Sequence, residues 1–147
     1  MSVTVRPLSP PDRPEWEHLY QGYAGFYGVA QTPAMRETVW KWLHDPDHEV
    51  NGLVAQDRGT LIGLAHYRPF CSPLAASTRG FLDDLYVDPA ARGAGAAQAL
   101  LDAVSAEGRA KGWAMIRWIT ADDNYRARSV YDRVATQTKW VTYDIRL

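Results

Sequence analysis

The hydrophobic positions of this chain fall into two periods that take turns along it. Trp16, Leu19, Tyr20, Tyr23 and Tyr27 recur every three or four residues behind Asp12 and Pro14. That spacing predicts a helix across "SPPDRPEWEHLYQGYAGFYG", capped by Asp12 and weakened by Gly22 and Gly25. A short strand over residues 3–7 precedes it. A second helix is predicted over residues 33–44, entered through Thr32-Pro33 and stopped by Asp45-Pro46. The apolar runs at 52–56 and 61–67 read as antiparallel strands joined by "DRGT", whose length and glycine suit a hairpin. Residues 68–79, "RPFCSPLAASTR", read as a long irregular loop, either one wall of a substrate pocket or plain surface variation.

The second half repeats the alternation of strand and helix. A strand over residues 80–87 leads through a turn into a helix over 95–111 that Gly112 can end, with Ala97, Leu100, Leu101 and Val104 on one face. "AMIRWIT" is the next strand, and Asp122-Asp123-Asn124 can cap a helix whose apolar face is Ala127, Val130, Tyr131 and Val134. "KWVTYDIR" alternates as a final strand. The predicted order is β-α-α-β-β-β-α-β-α-β, an α/β (α+β) mixed sheet with helices packed on it.

Composition narrows the partners. A chain of 147 residues with 46% hydrophobic residues suits one domain, 1–147. Its formal charge of -1 lacks the basic footprint of a nucleic-acid or anionic-membrane partner, which leaves small molecules. The lone Cys71 cannot close an intrachain disulfide and is expected in a loop or the core. The histidines His18, His44, His48 and His66 show no metal-like spacing, so no metal is expected; His66 reads as a core or edge residue, or as one lining a pocket. "MSVTVRPLSP" has no long apolar segment, and a cytoplasmic location is the default expectation.

The chemistry concentrates in "LDDLYVDPAARGAGAAQALL", where two carboxylates sit in a strand and every large side chain is cleared from the turn that follows. Unpaired N–H groups and the helix dipole favour a phosphate at such a strand-to-helix turn. Gly93, Ala94, Gly95, Ala96 and Ala97 leave room for it, and Arg92 adds a permanent positive charge. The P-loop is excluded, because Ala96 and Ala97 stand where lysine and Ser or Thr would follow the second glycine. A dinucleotide-binding fingerprint is disfavoured by the antiparallel hairpin upstream and by Thr120 at the end of the next strand, where an acid is required.

Arg92-Gly93-Ala94-Gly95-Ala96-Ala97 resembles the Arg/Gln-x-x-Gly-x-Gly/Ala motif of the GNAT acetyltransferases, and Asn124, Ala127 and Tyr131 match the later Asn-x-x-Ala-x-x-x-Tyr motif in order. "LDDLYV" further resembles the branch that acetylates polyamines, D-amino acids and histone-type amines. Two departures stand out: Ala97 takes the place of the commoner final glycine, and Ala135-Thr136 replaces the glycine-aromatic pair after the tyrosine helix.

The resemblance implies acetyl-CoA as co-substrate, with its pyrophosphate on residues 92–97 and its pantetheine arm along the backbone of Leu85, Tyr86 and Val87, near Asn124 and Ala127. It implies Tyr131 as general acid for the thiolate and Asp83 as the route for the amine's proton, through water given the short side chain. Read from the residues alone, Tyr131 also suits a helix core and Asn124 a helix cap. Asp83 and Asp84 point to opposite faces unless a bulge intervenes, so that one meets substrate while the other is structural, or both make solvent or loop hydrogen bonds. Tyr23, Tyr27 and Trp118 offer aromatic walls for an amine, or plain core packing. The implied function is N-acetylation of a primary amine on a small molecule, of polyamine or amino acid type, by direct attack in a ternary complex. The alternatives are a protein or peptide acetyltransferase and a non-catalytic acyl-CoA-binding module. A homodimer through "KWVTYDIRL" is expected by the same resemblance.

Overall fold

The computed structural model describes residues 2–147. Its elements are β1 (Val3–Pro7), α1 (Arg13–Phe26), α2 (Pro33–His44), β2 (Asn51–Asp57), β3 (Thr60–Ser72), β4 (Ser77–Val87), α3 (Ala96–Ala110), β5 (Ile116–Arg117) and α4 (Tyr125–Val134). The strands form one sheet in chain order, antiparallel from β1 to β4, with β5 parallel to β4.

Both faces of this sheet are covered, which is why the centres of β2 (53–55) and β3 (61–65) are apolar on both sides. On one face Leu53, Ala55, Ala65 and Leu82 pack with Leu100, Leu101 and Val104 of α3. On the other, Val54 and Leu64 pack with Trp16 and Leu19 of α1, and α2 adds Val39, Trp40 and Leu43. The β2–β3 turn places Arg58 and Gly59 both at positive φ, 53° and 82°, as a tight two-residue hairpin turn requires. Gly22 is not merely a weakness in α1: a Cβ there would lie 2.5 Å from the Tyr86 hydroxyl, so the missing side chain lets the helix approach β4.

Four expectations need correction. Residues 68–79 are not an irregular loop, because β3 and β4 run on as a hairpin in which Arg68 pairs with Phe81, Phe70 with Arg79 and Ser72 with Ser77. Its prolines and small residues disguise a strand that the long partner nevertheless supports. Cys71 accordingly lies exposed on β3, in neither loop nor core. The run "AMIRWIT" pairs only over Ile116 and Arg117. The final strand does not form: residues 135–147 join no sheet, and Trp140, Tyr143 and Ile145 are 77%, 89% and 88% exposed. The alternation there marks a strand, but a strand needs a partner backbone, and none of the described residues supplies one.

Asp12 starts α1 yet does not bond to the helix. Its carboxylate takes two hydrogen bonds from Arg6 of β1, at 2.7 and 2.8 Å, and one from the Ser9 N–H. The Arg6 hydrogen bonds, opposed by burial and helped by Ser9, hold this carboxyl down at about 2 against an ordinary 3.8. A depressed carboxylate stabilises the fold above its ordinary value and stops doing so as pH falls through the folded one. Thermal melts of wild type and Asp12→Asn should therefore differ fully at pH 7 and converge as pH falls from about 4 to about 2. A difference that persists at the lower pH counts against the pairing.

Candidate active site

The turn between β4 and α3 is built from backbone geometry. Asp88 accepts from the Ala90 N–H at 2.9 Å and so closes a single 3₁₀ turn, Pro89–Ala91. Gly93 and Gly95 then adopt φ of 91° and 82°, the left-handed region where a side chain is strained. Gly95 is the cap of α3, whose first N–H groups have no partner within the helix.

Past Phe81, β4 has no strand beside it on the β5 side, because β5 ends at Arg117. The sheet therefore splays, and one backbone edge of Leu85, Tyr86 and Val87 is left open. A cavity of about 910 Å³ lies along this edge. It is lined by Leu85, Tyr86, Val87, Arg92, Gly93, Gly95, Ala96 and Ala97 on one side, with Asn124 before α4, Ala127 and Tyr131 within it, Tyr23 and Phe26 of α1 and Tyr27 just after it. Of the residues proposed from sequence to hold the co-substrate, Ala94 alone is outside the lining. An open strand edge, a helix start and paired left-handed glycines fit an elongated molecule carrying a pyrophosphate.

Tyr131 is brought opposite Tyr27. Burial, with a contribution from Tyr27, pushes its hydroxyl up to about 12, so at neutral pH it holds its proton. Trp118 stacks edge-on against Tyr131, ring centroids 5.3 Å apart, and faces a second, smaller cavity beside α3 instead of the larger one. Asn124 forms no side-chain cap; its amide donates to Thr120 at 3.1 Å and reaches Tyr27 at 3.5 Å.

The two aspartates lie just beyond the cavity. The β3–β4 register pairs His66 with Asp84 and Tyr67 with Leu82, leaving Asp83 as the extra residue of a bulge. Both carboxylates consequently meet partners on the α1 side of the sheet. Asp84 accepts from Tyr20 at 2.9 Å and contacts His66 Nδ1 at 2.8 Å. The indole N–H of Trp16 reaches His66 Nε2 at 3.0 Å. An indole can only donate, so the imidazole proton sits on Nδ1 and is given to Asp84. Burial alone would raise Asp84, but the bonds from His66 and Tyr20 outweigh it and hold the carboxyl below its ordinary value. Asp83 moves the other way: burial raises it, and the nearby Asp84 adds to that against the opposing charge of Arg68. Tyr23 links these groups to the cavity, its hydroxyl 3.4 Å from the Asp83 carbonyl.

Sequence reading missed Trp16, Tyr20 and Arg68 as members of this site and left His66 undecided. The signal was nonlocal, since His66 and Arg68 face the aspartates only once the bulged register is known. Among the described residues no group of three or more His, Cys, Asp or Glu side chains could hold a metal ion, and no helix is long and apolar enough to cross a membrane. Nitrogen NMR should find His66 protonated on Nδ1 and bare on Nε2, and Trp16→Phe should release that preference. A proton on Nε2 in the wild type would break the chain of hydrogen bonds.

Comparison with known proteins gives the family and the fold. The model of the acetyltransferase (GNAT) family matches residues 16–135. The D-amino-acid N-acetyltransferase HPA3 of Saccharomyces cerevisiae is 29% identical over 143 residues, covering 96% of this chain and 89% of the relative. Among solved structures, the ribosomal-protein-alanine N-acetyltransferase of Brucella melitensis biovar Abortus 2308 superposes with a TM-score of 0.82 at 23% identity, over all of both chains. The aminoglycoside N-acetyltransferase AAC(6')-Iy, in complex with CoA, does so with a TM-score of 0.85 at 19% identity, over 98% of this chain and 94% of its own. The chain belongs to the GNAT family and is an N-acetyltransferase that uses acetyl-CoA.

Proposed function

We propose that this enzyme acetylates a primary amine of a small molecule by direct attack within a ternary complex. The observation that carries the reading is the cavity that runs from the small-residue turn along the open edge of β4 to Tyr131, with the bulged Asp83 just beyond its lining. Arg92, Gly93, Gly95, Ala96 and Ala97 hold the pyrophosphate, and Leu85, Tyr86 and Val87 offer backbone groups to the pantetheine arm. Acetyl-CoA supplies the activated acetyl group. The acceptor arrives as an ammonium ion, and Asp83, whose raised pKa makes it the better base of the pair, takes the proton that must leave before nitrogen can attack. Asp84, whose Oδ2 accepts from both His66 and Tyr20, serves as a fixed charge. Tyr131, protonated at neutral pH, stands ready to give its proton to the departing sulfur.

Support for a small acceptor comes from the yeast relative, named for D-amino acids, and the aminoglycoside enzyme among the structural neighbours. Thiol release measured across polyamines, amino acids of both hands and peptides should favour a small amine. Tyr131→Phe should lower that rate about 100-fold. An undiminished rate removes the general-acid role, and tight acetyl-CoA binding without turnover on any acceptor makes the protein a binding module.

The assembly reading is a homodimer. Val141, Tyr143, Ile145 and Leu147 alternate along one segment, all exposed, and β5 is a two-residue edge strand with no further strand beside it among the described residues. We infer that a second copy covers this segment. Light scattering should give a mass of two chains, and truncation after residue 138 should return it to one; a wild-type mass of one chain overturns the dimer.

A further inference from the structure

Arg68 stands on β3 next to the proposed proton acceptor and was assigned nothing by the mechanism. Its Nε donates to both oxygens of Asp83, at 3.2 and 3.1 Å, and its guanidinium lies over the Phe81 ring at 5.1 Å from the centroid. These two contacts fix the plane of the group while using one of its five donors. Among the described residues no protein acceptor takes the N–H groups of Nη1 or Nη2, and a third of the side chain remains accessible. The result is a pre-aimed fork touching a carboxylate, midway along β4 before the strand reaches the pyrophosphate turn.

We propose that Arg68 anchors the carboxylate of an α-amino acid acceptor while Asp83 receives its ammonium group. This rests on the acetyltransferase reading and names its substrate class. An α-amino acid carries its two charges two bonds apart, so its recognition needs a cation and an anion in contact, which Arg68 and Asp83 are. A planar fork with free terminal N–H groups accepts a carboxylate in bidentate fashion, as a lysine cannot. A polyamine offers no group for Arg68 and would meet its positive charge with like charge. Tyr20 and Tyr23, beside the aspartates, border the same region and are held protonated by burial and by Asp84. Arg68 and these phenols together leave the aspartates as the acceptors for the incoming ammonium.

The test compares amino acids of both hands with their decarboxylated amines, for example phenylalanine with phenethylamine and leucine with 3-methylbutylamine. Wild type should prefer the amino acid, and Arg68→Leu should lower the ratio of the two kcat/KM values about 100-fold. Taking the ratio cancels any effect of the substitution on Asp83 or on folding. An unchanged ratio, or a wild type that prefers the amine or a diamine, overturns the anchor. Calorimetric binding of the same amino acids in the presence of CoA separates this proposal from the reading beneath it. Binding that needs both the carboxylate and Arg68, without thiol release, keeps the anchor and removes the reaction; binding that survives Arg68→Leu removes the anchor.

Discussion

The bulge opposite His66 and Tyr67 governs how this sheet can carry chemistry. In a regular strand Asp83 and Asp84 would face opposite layers, one of them against the apolar packing under α3, where an unpaired carboxylate is costly. One unpartnered residue in β4 turns both toward α1. The two carboxylates then lie side by side, and the environment separates them. The environments differ by direct contact: Asp84 meets a histidine and a phenol, Asp83 a guanidinium. Neighbouring acids held at different proton affinities divide labour more readily than identical ones.

Most of Asp84's surroundings exist to make its charge tolerable. A buried carboxylate needs hydrogen bonds on its oxygens, and losing one partner leaves charge without compensation. The requirement propagates inward. His66 must donate, so its far nitrogen must accept, and Trp16, fully buried at the centre of the α1 face, provides the donor. The residue that anchors one hydrophobic core thereby also sets a proton position two side chains away. Packing and chemistry share a side chain here, which makes Trp16 harder to replace than its size alone suggests.

What could be read from the chain depended on how local the information was. The turn at 92–97 and the Asn124, Ala127, Tyr131 spacing each lie within one turn or helix, and nearly all of them line the cavity. The partners of Asp83 and Asp84 come from β3 and α1, at separations of 15 to 64 residues, and only the bulged register brings them together. Residues 68–72 and 77–79 were misread because Pro69, Ser72 and Ser77 imitate a loop, although a long antiparallel partner accommodates them. Trp118 was offered as an aromatic wall or as core on its type alone; it packs edge-on against Tyr131 and lines the smaller cavity.

Residues 135–147 have a consequence for how the protein is kept. They carry Trp140, Val141, Tyr143, Ile145 and Leu147 into water. An extended apolar segment with unused backbone donors and acceptors adheres to other such segments without regard to identity. The cellular handling of this enzyme therefore turns on a race between orderly covering of that segment and indiscriminate sticking. Protein concentration speeds both, so the conditions that favour assembly are also those that favour precipitation.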